Sequence, residues 1–300
     1  MNKVPINVFG QGDDLALVHG WGLGRAVWTP VVDRLALHFH IHLIDLPGYE
    51  NSPSCPEHRA QQGSAGGQAG DWPPEPFSEQ PARRASTGAA SRASPSTQED
   101  FEACARALIA RLPAGVTLCG WSLGGMLALQ AALLAPGHIA RLILVAATPS
   151  FTQRADWSAG QPAALLDTFQ ASVAEHPKAT LQRFIALFNQ GDPQARAIGR
   201  VLLSALTKQP LPNPETLNTG LNFLRDRDLR PQIAALQTPT LLIHGQRDTL
   251  MPLAAAQWLA DHLPHARLEI FPDAAHAPFL NDPQRFTQLI ADFCHVPAPD

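Results

Sequence analysis

The sequence predicts an α/β chain: a mostly parallel sheet wrapped by helices, with a helical cap inserted between two strands and a disordered loop insertion. Three observations predict it. Short apolar runs rich in β-formers recur along the chain and end in Gly, Pro or Asp. Helix-like runs separate many of them, the alternation expected of parallel strands joined by crossover helices. One junction, "LCGWSLGG" at residues 118–125, sets a lone serine between glycines where a strand hands over to a helix.

Taken in order, the predicted strands lie at residues 15–20, 40–48, 116–120, 142–147, 240–245 and 267–272. Most are continuously apolar rather than alternating, as strands buried on both faces are. Helices are expected at 101–112, 126–134, 254–262 and 283–294. Two segments break the rhythm. Residues 50–98 are rich in Ala, Ser, Pro, Gly and Gln with almost no aliphatic content, so they cannot offset their ordering entropy and read as disordered. Residues 148–230 carry no strand pattern but four helix-like runs, at 163–174, 179–188, 193–206 and 214–224. The expected organisation is a first core part at 1–147, a helical cap at 148–230 and a second core part at 231–300. A cap inserted there overhangs the carboxyl edge of the sheet, where α/β proteins bind ligands.

Bulk properties narrow the class. The chain has 300 residues, 45% hydrophobic, enough for one large core. A net charge of -4 argues against a nucleic-acid binder. Cys55, Cys104, Cys119 and Cys294 are scattered without metal-ligand spacing, which suits a reducing compartment. The amino terminus has no apolar signal core, and no run is long enough to span a bilayer, so a cytoplasmic location is expected.

The serine junction carries the chemistry. Gly120-Trp121-Ser122-Leu123-Gly124 is G-x-S-x-G between a strand and a helix, the context of a nucleophile elbow. The tight turn lifts the hydroxyl above the sheet at a helix amino terminus, which favours developing negative charge. A serine nucleophile needs a base, and the base an orienting acid. Asp248 follows one predicted strand and His276 the next, so both project from the same edge as Ser122. Asp273 is tethered too closely to His276, Asp226 and Asp228 belong to the end of the cap, and His244 reads as a core residue. His19 reads as shaping the glycine loop. His38, His40 and His42 alternate along one strand, but without a carboxylate or cysteine pattern they read as an exposed strand face rather than a metal site. An oxyanion hole needs two backbone donors: the N–H of Leu123 and, from the "VHGWGLG" loop at 18–24, that of Trp21. The same loop misses G-x-G-x-x-G because Arg25 occupies the last glycine position, so no dinucleotide, metal or other cofactor is expected.

The stretches "VHGWGLGRAVW", "HLIDLPG", "LCGWSLGGMLALQAAL", "LLIHGQRDTLMP" and "DAAHAPFL" resemble the α/β-hydrolase family, and within it the carboxylesterases of the biotin pathway. That resemblance implies hydrolysis of the methyl ester of a pimeloyl group carried on acyl carrier protein. It implies that Trp21, Ser122, Leu123 and His276 line the ester site. Phe184, Ile185, Ala186, Leu187 and Phe188 would line an acyl channel, and Arg183, Arg196 and Arg200 would present a basic face to the acidic carrier protein. The family reads DLPG-aromatic-Gly-x-Ser, whereas here Tyr49 is followed by Glu50, Asn51 and Ser52. The alternatives on the same fold are a general short-chain esterase, a C–C hydrolase, an enol-lactonase, or a non-catalytic binding protein.

Overall fold

Most of the apolar runs form strands buried on both sides of one sheet; the last, Ala266–Phe271, is only partly buried. The computed structural model describes residues 7–49 and 95–295. Its strands are β1 (Asn7–Phe9), β2 (Asp13–Val18), β3 (Phe39–Ile44), β4 (Val116–Trp121), β5 (Ile139–Val145), β6 (Thr240–Gly245) and β7 (Ala266–Phe271). They make one seven-stranded sheet in the order β1-β3-β2-β4-β5-β6-β7. β1 runs antiparallel to β3, and every other neighbouring pair is parallel. Every residue of β4 and of β6 is buried, which is why those runs show no alternation.

The helices are α1 (Thr29–Leu35), α2 (Pro95–Ile109), α3 (Leu123–Leu134), α4 (Ala163–Glu175), α5 (Pro177–Phe188), α6 (Ala195–Thr207), α7 (Pro214–Asp226), α8 (Leu253–His262), α9 (Pro278–Asn281) and α10 (Pro283–His295). α3 is buried over its first ten residues, Leu123 to Ala132, so it is apolar all round rather than striped. α4 to α7 all lie between β5 and β6 in the chain. They pack onto the loops at the carboxyl ends of the strands: Leu181 of α5 sits against Gly22, and Thr216 of α7 against Gly48.

Several expectations need correction. β1 has only three residues and α9 four, too few for a periodic signal, and α1 is a seven-residue helix that follows a turn of 3-10 helix. Residues 95–98 belong to α2 and not to the preceding low-complexity stretch. Pro95 opens that helix, where a missing N–H costs nothing. Of the expected disordered stretch, 50–94 lies outside the described residues, as does Cys55. Cys104, Cys119 and Cys294 are buried, and burial pushes the Cys119 thiol up. Among the described residues no helix is long and apolar enough to cross a membrane.

Candidate active site

Ser122 sits where β4 ends and α3 begins, with φ 58° and ψ -122°. That is a left-handed conformation for a residue with a Cβ, a strain on the order of 1–3 kcal/mol that the surroundings must hold in place. They do so through the backbone. Ser122 N–H donates to the Val145 carbonyl of β5 at 3.0 Å, and the Ser122 carbonyl accepts from Gly125 at 2.9 Å and Met126 at 3.2 Å. The flanking glycines are required by close approach: a Cβ on Gly120 would run into the Gly124 backbone, and one on Gly124 into the carbonyls of Val18 and His19.

His276 Nε2 lies 2.9 Å from Ser122 Oγ, and His276 Nδ1 lies 2.7 Å from Asp248 Oδ2. The carboxylate can only accept, so Nδ1 carries the proton and Nε2 presents a lone pair to the serine hydroxyl. The other oxygen, Asp248 Oδ1, accepts from the N–H groups of Leu250 and Met251, both at 2.9 Å, which fixes the carboxylate's orientation. All three side chains are buried. Thus the three residues singled out by strand-end position form one continuous hydrogen-bonded chain.

Leu123 is the first residue of α3, where a backbone N–H has no intrahelical acceptor. Across from it, the Trp21 loop is pinned on two sides. The Trp21 indole donates to the Leu217 carbonyl of α7 at 2.8 Å, and Gly22 N–H donates to the Tyr49 hydroxyl at 2.8 Å. Burial pushes the Tyr49 phenol well above its ordinary pKa, so it stays protonated. A small cleft opens beside Leu123, walled by Leu46, Tyr49, Leu127, Gly220 and Phe223.

The chain matches the alpha/beta hydrolase fold family over residues 15–283. The chain belongs to the α/β-hydrolase family. Its relatives include the pimeloyl-[acyl-carrier protein] methyl ester esterase of Nitrosomonas europaea, 35% identical over 287 residues, covering 95% of this chain and 97% of that protein. The protein of the same name from Photobacterium profundum is 34% identical over 284 residues, covering 95% of each. Among solved structures, the esterase EaEST from Exiguobacterium antarcticum superposes with a TM-score of 0.74 at 21% identity, covering 97% of this chain and 95% of that one. The enol-lactonase from Burkholderia xenovorans LB400 superposes at 0.71 with 17% identity, covering 97% and 96%. At such identities these structures speak to the fold alone.

In this α/β-hydrolase the rival residues fall elsewhere. Asp273 is exposed and pairs with Arg247 at 2.7 Å; Asp228 pairs with Arg230 at 2.7 Å, and the Asp226 carbonyl accepts from Arg154 at 3.0 Å. His244 is buried and its Nε2 bonds the Met251 carbonyl at 2.7 Å; burial lowers its pKa despite nearby Asp248. His19 accepts from Leu46 N–H through Nε2 at 3.0 Å and bonds the Gly20 carbonyl through Nδ1 at 2.8 Å, so it braces two loops. The expectation for His40 and His42 is corrected: they do face a carboxylate, Asp14, supplied by the neighbouring strand.

Residues 184–188 divide by helical spacing. Phe184 packs edge-on against Trp21 with centroids 4.8 Å apart, and Phe188 lies 5.2 Å from the His276 ring and 5.8 Å from Trp121. Ile185 is buried, Leu187 half-buried and Ala186 exposed; Ile185 and Ala186 line an outer groove between α5 and α6 instead. Arg183, Arg196 and Arg200 are exposed, the last two on the rim of that groove.

One residue was missed by sequence reasoning. Asp192, in the α5–α6 loop, is buried, and its Oδ2 accepts from the Ala275 N–H at 3.1 Å, one residue before His276. The same carboxylate accepts from Gln194 N–H at 2.7 Å and from the Asn281 amide at 3.1 Å. His276 itself donates its N–H to the Phe188 carbonyl at 3.3 Å, and its carbonyl accepts from the Trp121 indole at 2.8 Å. No local pattern marks Asp192, because its partner Ala275 lies 83 residues away.

Proposed function

We propose that this α/β-hydrolase is a serine carboxylesterase of the biotin pathway that hydrolyses pimeloyl-acyl carrier protein methyl ester to pimeloyl-acyl carrier protein and methanol. The observation that carries the chemistry is the Ser122–His276–Asp248 hydrogen-bond chain. The relatives' printed name, at about a third identity across nearly the whole chain, supports the substrate.

In this reading Ser122 Oγ attacks the ester carbonyl while His276 Nε2 takes its proton. Asp248 holds the imidazole tautomer and stabilises the imidazolium. The N–H groups of Leu123 and Trp21 receive the oxyanion, and the α3 amino terminus adds its dipole. Collapse of the tetrahedral intermediate breaks the bond to methoxide, which leaves as methanol with the His276 proton. Water, deprotonated by His276, then cleaves the acyl-serine and releases the free carboxylate. Helices α4 to α7 serve as a cap, with Phe184 and Phe188 on the acyl path and the cleft beside Leu123 as its continuation. Neither α5 nor α6 contains an acidic residue, so in this reading the exposed Arg183, Arg196 and Arg200 are the basic groups offered to an acidic carrier.

The test is turnover of carrier-bound pimeloyl methyl ester by the purified protein, with methanol release measured. Fluorophosphonate labelling that disappears in Ser122→Ala is expected alongside it. Labelling without methanol release would leave a serine hydrolase of another ester; neither signal would remove the enzymatic reading.

A further inference from the structure

We propose that Asp14, His40 and His42 form a binding site for a divalent transition-metal ion of the zinc type, separate from Ser122. The register of the sheet assembles it. β2 and β3 run parallel with Asp14 opposite His40 and Ala16 opposite His42. Side chains two apart on a strand share a face, so His40 and His42 project together and Asp14 stands beside them. His40 Nδ1 and His42 Nε2 lie 2.7 Å and 2.6 Å from the same oxygen, Asp14 Oδ1. One ligand atom from each residue falls within 4.8 Å of the others. His42 is mostly buried, while the side chains of His40 and Asp14 are 39% and 33% exposed, so the cluster has a floor and an open side.

Zinc accepts imidazole nitrogen and carboxylate oxygen at about 2.0–2.2 Å in tetrahedral geometry, which sets ligand atoms roughly 3.3 Å apart. The two short N···O contacts therefore need to open by about 0.6 Å and the two ring nitrogens, as much as 4.8 Å apart, to close by up to about 1.5 Å, rotations open to side chains anchored on adjacent strands. On binding, each ring presents a lone pair inward and carries its proton on the outward nitrogen. Water from the open side completes the coordination. Two imidazoles and one carboxylate suit zinc, nickel or copper better than magnesium or calcium, which prefer all-oxygen shells. His38, the third alternating histidine, lies in the turn before β3 and contributes no atom to the cluster.

The site is remote from the proposed chemistry. Val18, the last residue of β2, pairs with Gly120 beside Ser122. Asp14 lies four residues back along the strand, about 13 Å at the rise of a parallel strand. Occupancy would tie β2 to β3 without touching the serine.

The experiment is calorimetric titration of the full chain, stripped with chelator, using Zn²⁺, with Co²⁺ absorption as a report of coordination. We expect one equivalent that is lost in His40→Gln and in His42→Gln, kept in His38→Gln, and accompanied by a rise in melting temperature. Ester turnover should stay within about twofold in all three variants, since none of these residues touches the serine site. His40→Gln alters a partly exposed side chain and guards against a folding failure in the more buried His42 variant. An equivalent kept in both variants would place the ion elsewhere, on other histidines or Cys55. No binding at millimolar Zn²⁺ would leave the trio as a hydrogen-bonded clamp. Either result overturns the site.

Discussion

Asp192→Ala tests how His276 is held. The substitution removes the acceptor of the Ala275 N–H, one residue before His276, and of the Asn281 amide. A buried donor left without a partner costs about 1–3 kcal/mol, and a bond to a charged acceptor contributes about 1.5–3 kcal/mol. The Gln194 N–H and the Asn281 amide are only part-buried and can turn to water, so they add little. The sum is about 2–4 kcal/mol, below the usual total of about 5–15 kcal/mol, so the protein should fold. At about 2–4 °C per kcal/mol, the melting temperature should fall by roughly 5–15 °C. The larger effect should be on rate. A displacement of about 1 Å at a positioned group can cost on the order of 10²-fold. We expect kcat on a p-nitrophenyl ester to fall about 10- to 100-fold, with KM within about twofold, because Asp192 does not line the cleft beside Leu123. Assays belong well below the melting transition. A lowered melting temperature with kcat within about twofold of wild type would refute the reasoning and leave His276 positioned by Phe188, Trp121 and Asp248.

Ser122→Ala and His276→Ala should each lower kcat by about 10³-fold or more, and adding Asp248→Ala should cost little further, as measured by steady-state kinetics on one ester. Reversing Arg183, Arg196 and Arg200 to Glu should lower kcat/KM for the carrier-bound ester by about tenfold and flatten its salt dependence while sparing a small methyl ester; equal loss on both substrates would count against a carrier surface. His244 supplies a pH test. Burial keeps its folded pKa below the ordinary histidine value, so near and below that value the unfolded chain binds the proton and the folded one does not. Stability should therefore fall as pH drops from about 7 to about 5, and His244→Gln should lessen that slope in melting curves; identical slopes would remove His244 as a contributor.

The legible part of the molecule was local. Ser122, Asp248 and His276 each follow a strand written as a short apolar run, so position at a strand end was enough to group them. The four helices between β5 and β6 were visible for the same reason, since each spans about three turns. What escaped was set by tertiary contact. Asp14 reads as an ordinary polar residue at a strand start until register places it opposite His40. Asp192 looks like loop punctuation before Pro193. The indole of Trp121 reads as apolar bulk, yet its N–H reaches a carbonyl 155 residues away. β1 escaped because three residues carry too little pattern, and Ala186 was grouped with Phe184 and Phe188 although helical spacing turns it outward.

The sheet order explains why His276 depends on such contacts. Ser122 follows β4, Asp248 follows β6 and His276 follows β7, with β5 and β6 between the first strand and the last. Neighbouring strands are about 4.8 Å apart, so the end of β7 stands roughly 14 Å from the end of β4. The 2.9 Å contact between His276 and Ser122 is met only if the segment after β7 reaches back across the sheet. β5 clears the way by turning off at Ala146, a residue held at φ 43°. The returning segment then has no strand neighbour to fix it. It is fixed from the α5–α6 side by the Phe188 carbonyl and Asp192, and from β4 by the Trp121 indole. Asp248 is positioned by the backbone of its own turn, and Ser122 by its own turn and the adjoining end of β5, whereas His276 is positioned by groups from the α5–α6 side and from β4. Substitutions in the α5–α6 loop should therefore act on the proton-transfer geometry even where they face away from the cleft.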